Sequence, residues 1–288
     1  MNNKILYFSI IILVLSNLSF KWPVQNGRIT STYGESRGDH FHDGVDMICR
    51  DDKVYPVDSG KLLFFWDKSI FPLENYPGGG NYKIIKHDKN MHSVYLHLKD
   101  GVSLQNIYSV NNKIGMVGNS GRSFAKHLHF SIINLKNLKS INPFLLMPRY
   151  KDEKGPDIKN IFLKINKKYF LIRDNAKIRL TKHYPILVRI VDTFTKSERL
   201  GVYRLKAVLN GKEVLDISFK SLVNSKKGLK ISNNLFHNLY DEEGYYKVED
   251  VRYFTGLNKL KIIAFDYSGN KSEKLFNFDV NLDIKKDN

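Results

Sequence analysis

Cysteine is nearly absent. Cys49 stands alone in 288 residues, so the chain can form no internal disulfide and no thiolate-rich metal site. It lies too far from the amino terminus to be a lipid-attachment cysteine, and it is read as a buried structural thiol. Helical periodicity is almost missing, which excludes a helix bundle. No internal repeat and no low-complexity segment interrupts the text. After the first few residues no apolar run is long enough to cross a bilayer. Acidic residues are outnumbered, 29 Asp and Glu against 46 Lys and Arg, for a formal charge of +17. Such an excess suits a polyanionic partner such as nucleic acid, anionic lipid or an anionic wall polymer. Here it is spread along the chain, with no basic run and no Arg-rich helix, which disfavours nucleic acid.

What is present is export character followed by strands. Lys4 precedes an apolar run from Ile5 to Leu15, the length of a signal-peptide core and short for a membrane span. Residues 1–19 are therefore read as a signal peptide, cut after Ser16 or Ser19, or as an uncleaved anchor. Alternating segments follow at 28–33, 44–48, 61–66, 82–87, 93–98, 113–118 and 125–133. The pair at 82–87 and 93–98 flanks Asp88-Lys89-Asn90 and reads as a hairpin. Short strands without helices predict an antiparallel all-β domain over 22–148. The polar stretch 149–157, with Gly155-Pro156, reads as a linker. Beyond it, strands recur at 161–165, 186–191, 202–209 and 259–266, with tight turns at Asn210-Gly211 and Ser268-Gly269-Asn270. That grammar predicts a small immunoglobulin-like β-sandwich over 158–288.

Seven of the nine histidines fall between His40 and His129. His127-Leu128-His129 places two imidazoles on one face of a strand, with Leu128 and Phe130 on the other. His42 and Asp46 share a face in an extended segment, with Gly44 between them leaving room. Imidazole nitrogen and carboxylate oxygen are both good zinc donors. His40 competes with His42, because His40-Phe41-His42 is itself a His-x-His. In Tyr95-Leu96-His97-Leu98, Tyr95 and His97 are expected on one face. His87 and His92 read as turn or surface residues, and His183 and His237 have no metal-type partners.

Taken together, these stretches resemble the LytM/lysostaphin-type zinc metallopeptidases, which cut the peptide part of peptidoglycan. The resemblance rests on His42…Asp46, then Tyr95-Leu96-His97-Leu98, then His127-Leu128-His129-Phe130. It is supported by Arg28 to Gly34, by Val117-Gly118-Asn119-Ser120-Gly121 and by the closing Asn142-Pro143. It spans about Gly27 to Pro143 and implies one Zn²⁺ per chain, with His42, Asp46 and His129 as ligands. It also implies that His97 and His127 are the catalytic histidines, one a base and the other an oxyanion stabiliser or co-base, with exchangeable roles. Three protein ligands leave the fourth tetrahedral position open, as catalytic zinc requires. Three departures from the family pattern stand out. Ser131 replaces a commonly acidic residue, Ser123 to Lys126 replace a small Gly-containing approach, and the loop from Asp67 to Gly80 is long. The implied function is a peptidoglycan endopeptidase, exported to the periplasm or cell envelope. The second half would be open to wall or divisome proteins. The alternatives are a non-catalytic wall-binding module that regulates another hydrolase, and a surface adhesin.

Overall fold

The computed structural model describes residues 20–101, 104–193 and 200–283. The expected export segment at 1–19 lies outside them. The fold is all-β, as the alternation predicts. Helical structure among the described residues amounts to Phe236–Leu239 and two 3₁₀ turns. No described helix is long and apolar enough to cross a membrane. Among the described residues strand pairing is antiparallel except for one parallel pair, Ala176–Leu180 with Lys271–Leu282.

The site-bearing sheet has eleven strands. Its path runs Asn234–Leu235, Gly228–Ile231, Ser221–Ser225, Lys139–Ile141, Leu128–Asn134, Met91–Leu98, Asn81–Lys86, Gly60–Trp66 and Ile107–Tyr108. Val45–Ile48 also pairs with Leu128–Asn134 and carries Arg28–Ser31 on its far side. The expected hairpin forms, with Lys89 and Asn90 at φ 54° and 60°. Positive φ at both central residues matches the right-handed twist of the flanking strands. Leu128, Phe130 and Ile132 are buried together with Ile29, Val45, Met47 and Tyr95. That shared core presses the sheet's other face, with the histidines, outward.

Three strands of this sheet come from the second half of the chain. Ser221–Ser225 pairs with Lys139–Ile141, Ser140 opposite Leu222. The buried Tyr33 hydroxyl clamps the junction, donating to Ser140 O at 2.8 Å and accepting from Leu222 N at 2.7 Å. Asn142 adds two bonds, its N to Lys220 O at 3.0 Å and its Nδ2 to Phe219 O at 2.6 Å. Its Oδ1 accepts from Phe144 N and starts the Pro143–Leu145 turn.

Of the remaining strands, Lys53–Val54 pairs with Gly115–Met116, and the rest form two sheets. One has four strands: Lys168–Ile172, Asp157–Ile165, Ile186–Val191 and Tyr246–Val248. The other has five: Ala176–Leu180, Lys271–Leu282, Gly256–Phe265, Arg204–Leu209 and Lys212–Ser218. Alternate residues such as Ile161, Leu163 and Val188 on the first, and Leu205, Ala207, Ile262 and Phe278 on the second, are buried in a common core. Alternation with one face inward is what lets two sheets close on each other. Three side chains differ from their sequence reading. Cys49 is half-buried rather than buried. His87 and His92 are buried rather than on the surface. His87 spans Ser59 O and Ser93 Oγ at 3.0 and 2.7 Å, a structural role that hairpin position alone does not reveal.

Candidate metal centre and catalytic histidines

Three chain segments meet at one point. Asp46, on Val45–Ile48, lies directly across from His129 on Leu128–Asn134. His42 comes from the loop before Asp46. His42 Nε2, Asp46 Oδ1 and His129 Nδ1 lie 3.0 Å from one another. The approach depends on Gly44. A Cβ there would lie 2.5 Å from Phe130 O, 2.6 Å from Ser131 Oγ and 2.7 Å from His129 Nε2.

Hydrogen bonds on the far side of each ring fix the protons. His42 Nδ1 faces Thr32 O at 2.8 Å. A carbonyl only accepts, so Nδ1 carries the proton and Nε2 offers a lone pair. His129 Nε2 lies 2.9 Å from Ser131 Oγ and 3.4 Å from Asp43 Oδ1, so its Nδ1 offers the second lone pair. Asp46 Oδ1 is the third. Three buried lone pairs directed at one point repel unless a positive charge lies between them. The electrostatics show the same demand for positive charge, which either a proton on His129 or a metal can meet. Burial works against protonation of His129, but its bonds to Asp43 and Asp46 outweigh it and lift the imidazole to about 9. Burial likewise raises the Asp46 carboxyl, yet the charges and hydrogen bonds of His42 and His129 hold it well below the usual carboxylate range. Tetrahedral zinc with bonds of about 2.0–2.1 Å sets ligand atoms about 3.3 Å apart. The observed triangle is within a few tenths of an ångström of that, and its N₂O donor set suits zinc. The residues present fit the metal.

His97 and His127 stand beside this triangle. Their ring centroids are 4.9 Å apart, and His97 is 6.3 Å from His129. His127 Nε2 is 3.7 Å from Asp46 Oδ1. Each commits its Nδ1 proton to a backbone carbonyl, His97 to Ser120 O and His127 to Ala125 O, both at 2.8 Å. Burial pushes the His97 imidazole below its ordinary value, and the neighbouring His127 and His129 add to this against the opposing Ser120 bond. His97 is therefore neutral at neutral pH.

One expectation is corrected here. Tyr95 and His97 do not share a face. Tyr95 is buried against Phe130, its hydroxyl accepting from Val57 N at 2.9 Å, whereas His97 sits with the other site histidines. Two steps along Asn81–Lys86, from Lys83 to Asn81, oppose three along Met91–Leu98, from Tyr95 to Leu98. The extra residue makes a bulge, and His97 takes φ 62° within it. A bulge re-aims a side chain, and a non-glycine residue at positive φ is a strained conformation found at functional sites. The long loop supports it. Gly79 O accepts from His97 N, and Gly78 O accepts from Arg122 N, both at 2.9 Å.

The five histidine and aspartate residues singled out in the sequence are thus brought together. His40 is not. It is exposed and pairs with Asp39. Ser131 fills the acidic residue's place by accepting from His129. Two residues escaped sequence reasoning. Arg37 bonds Asp46 Oδ2 and Ser31 Oγ, and Glu35 is bound through Thr32 and Ser31 beneath the His42 loop. Arg37, placed four residues before Phe41-His42 in a loop, had no periodic signal to mark it.

A buried triad of metal-type ligands with two adjacent imidazoles is a metallopeptidase-type site on an all-β sheet. Residues 40–143 match the model of peptidase family M23, and this region belongs to that family, the LytM/lysostaphin type. A second family model, with no description of its own, matches residues 155–281. Among curated proteins, the chain is 38% identical over 134 residues to an uncharacterized metalloprotease of Buchnera aphidicola, covering 42% of this chain and 34% of that one. It is 28% identical over 191 residues to the glycyl-glycine endopeptidase ALE-1 of Staphylococcus capitis, covering 63% and 49%. The chain therefore spans half or less of the length of these relatives. Among solved structures, a zinc containing peptidase from Vibrio cholerae aligns at 28% identity and a TM-score of 0.33, over 40% of this chain and 36% of that one.

Proposed function

We propose that the protein is a zinc-dependent endopeptidase that hydrolyses peptide bonds in the stem or cross-bridge peptides of bacterial peptidoglycan, exported to the periplasm or cell envelope. The observation that carries this is the meeting of three fixed lone pairs beside two imidazoles whose Nδ1 protons are already committed. His42, Asp46 and His129 would hold one zinc per chain. When bound, zinc supplies Lewis-acid polarisation of a scissile carbonyl and of water. His127 is placed to accept a proton at Nε2 and pass it to a leaving amine. His97, neutral by burial, can accept in the same way; either ring can hydrogen-bond an oxyanion only after it has taken a proton. The basic surface suits a wall carrying free carboxylates. The second half of the chain is the part available to wall or division-site proteins.

Metal analysis with digestion of purified peptidoglycan tests this on the wild type, His42→Ala and His127→Ala. His42→Ala is expected to lose zinc and activity together. His127→Ala is expected to keep zinc and lose about 10²–10⁴-fold in rate, the range for a removed acid-base group. Equal metal loss in both would refute the division of roles. A zinc-loaded wild type that leaves peptidoglycan uncut would favour a regulatory module instead.

A further inference from the structure

A second convergence of ligand atoms lies where the linker meets the second half of the chain. Asp152 comes from the linker, Asp192 follows the strand Ile186–Val191, and Asp266 follows Gly256–Phe265. One oxygen from each lies within 4.8 Å of the other two. Asp192 is 2% exposed and Asp266 is fully buried. Asp266 accepts from the backbone N–H groups of Ser268 and Asn270 and from Asn270 Nδ2. Oδ2 of Asp152 and Oδ2 of Asp192, by contrast, are buried with no hydrogen-bond partner at all. A buried carboxylate oxygen without donor or counter-charge is strongly unfavourable, and two of the three clustered carboxylates carry one. Only a proton or a cation can relieve such a cluster. Burial first, then the charge of Asp266, pushes the Asp192 carboxyl up to about 7.

We propose that Asp152, Asp192 and Asp266 form a calcium site that fastens the linker to the C-terminal sheets. The donors are all carboxylate oxygens, which select hard cations over zinc or copper. Calcium–oxygen bonds of about 2.3–2.6 Å place opposite oxygens about 4.6–5.2 Å apart, a span that accommodates the observed cluster. Magnesium demands near-ideal octahedral geometry and gives up its waters reluctantly, so carboxylates converging from three separate segments suit the more flexible coordination of calcium. The linker is already laid against this turn. Asn270 Nδ2 donates to Asp152 O and Lys154 O, and Ser268 Oγ donates to Tyr150 O. Calcium would convert this contact into a fixed joint. The site does not depend on the peptidase reading, since none of its residues touches the histidine centre.

The test uses the full chain, stripped of metal and then resupplied with zinc. Equilibrium dialysis should find one calcium per chain, with a dissociation constant of about 10⁻⁴–10⁻³ M, as in extracellular modules. Digestion with endoproteinase Lys-C should report the joint directly, because Lys151 and Lys154 flank Asp152. Cleavage there should slow by about ten- to a hundredfold at about 10 mM calcium, following site occupancy. Asp192→Asn, and separately the half-exposed Asp152→Asn, should abolish both binding and protection; the second guards against a folding defect in the first. A wild type that binds no calcium and is cut at the same rate with and without it would overturn the proposal and leave the cluster as a proton-sharing one. Equal protection by magnesium at the same concentration would overturn the assignment to calcium.

Discussion

Ser131→Ala removes the oxygen that takes the Nε2 proton of His129, 2.9 Å away. That proton's position decides whether Nδ1 can offer a lone pair, so the mutation acts on the metal without touching a ligand. Loss of such an outer partner costs about 10–100-fold in metal affinity. Asp43 Oδ1, 3.4 Å from the same nitrogen, remains as a weaker acceptor. The single mutant should therefore fall near the lower end, about tenfold or 1.4 kcal/mol. Ser131→Ala combined with Asp43→Ala should approach about 100-fold, or 2.7 kcal/mol. Ser131→Asp should retain affinity, because a carboxylate accepts from the same N–H. Zinc competition against a chromophoric chelator at fixed pH measures all three, with circular dichroism to establish folding. A folded double mutant that binds zinc as tightly as wild type would refute the tautomer assignment, and with it the convergence of three lone pairs.

Two predictions concern the rest of the fold. Tyr33→Phe leaves the Leu222 amide buried without an acceptor and Ser140 O without its donor; it should cost about 1–3 kcal/mol, seen as a lower urea midpoint at unchanged slope and faster hydrogen exchange at Leu222. Lys83 is buried, with Nζ 3.1 Å from the Tyr108 hydroxyl, and burial pushes its ammonium down to about 8. The folded state then holds fewer protons than the unfolded state between about pH 8 and 10.4, so stability rises with pH across that window, by about 3 kcal/mol in total. Relative to Lys83→Met, the wild type should gain that amount between the two limits and nothing below pH 8; parallel stability curves would contradict it.

The placement of the site residues was legible because they sit in short strings whose spacing survives folding. Asp46 and His129 are neighbours because strands alternate, and His127 and His129 read correctly for the same reason. What failed was whatever breaks the period. The extra residue at His97 turns that side chain away from Tyr95, and nothing in the alternation of Tyr95 to Leu98 announces it. Arg37 and Glu35 reach the site from an aperiodic loop, where sequence distance says little about direction. Most of the all-β architecture followed from turns such as Asn210-Gly211, whose residues take φ 53° and 83°. The pairing of Ser221–Ser225 with Lys139–Ile141 did not, because contacts between segments some 80 residues apart leave no local signal.

That pairing changes what cutting the chain would do. Proteolysis in the linker would nick the covalent thread, yet both fragments would stay clasped through the Ser221–Ser225 ladder and the Tyr33 and Asn142 bonds beside it. A polypeptide stopped at Pro148 would be a different object. It would bare the whole Lys139–Ile141 edge, and an open edge recruits any extended strand it meets, including its own copy. Aggregates or strand-exchanged dimers of such a fragment would then report a missing edge guard. The three small strands at 221–235 thus act as a built-in plug for a surface that would otherwise polymerise.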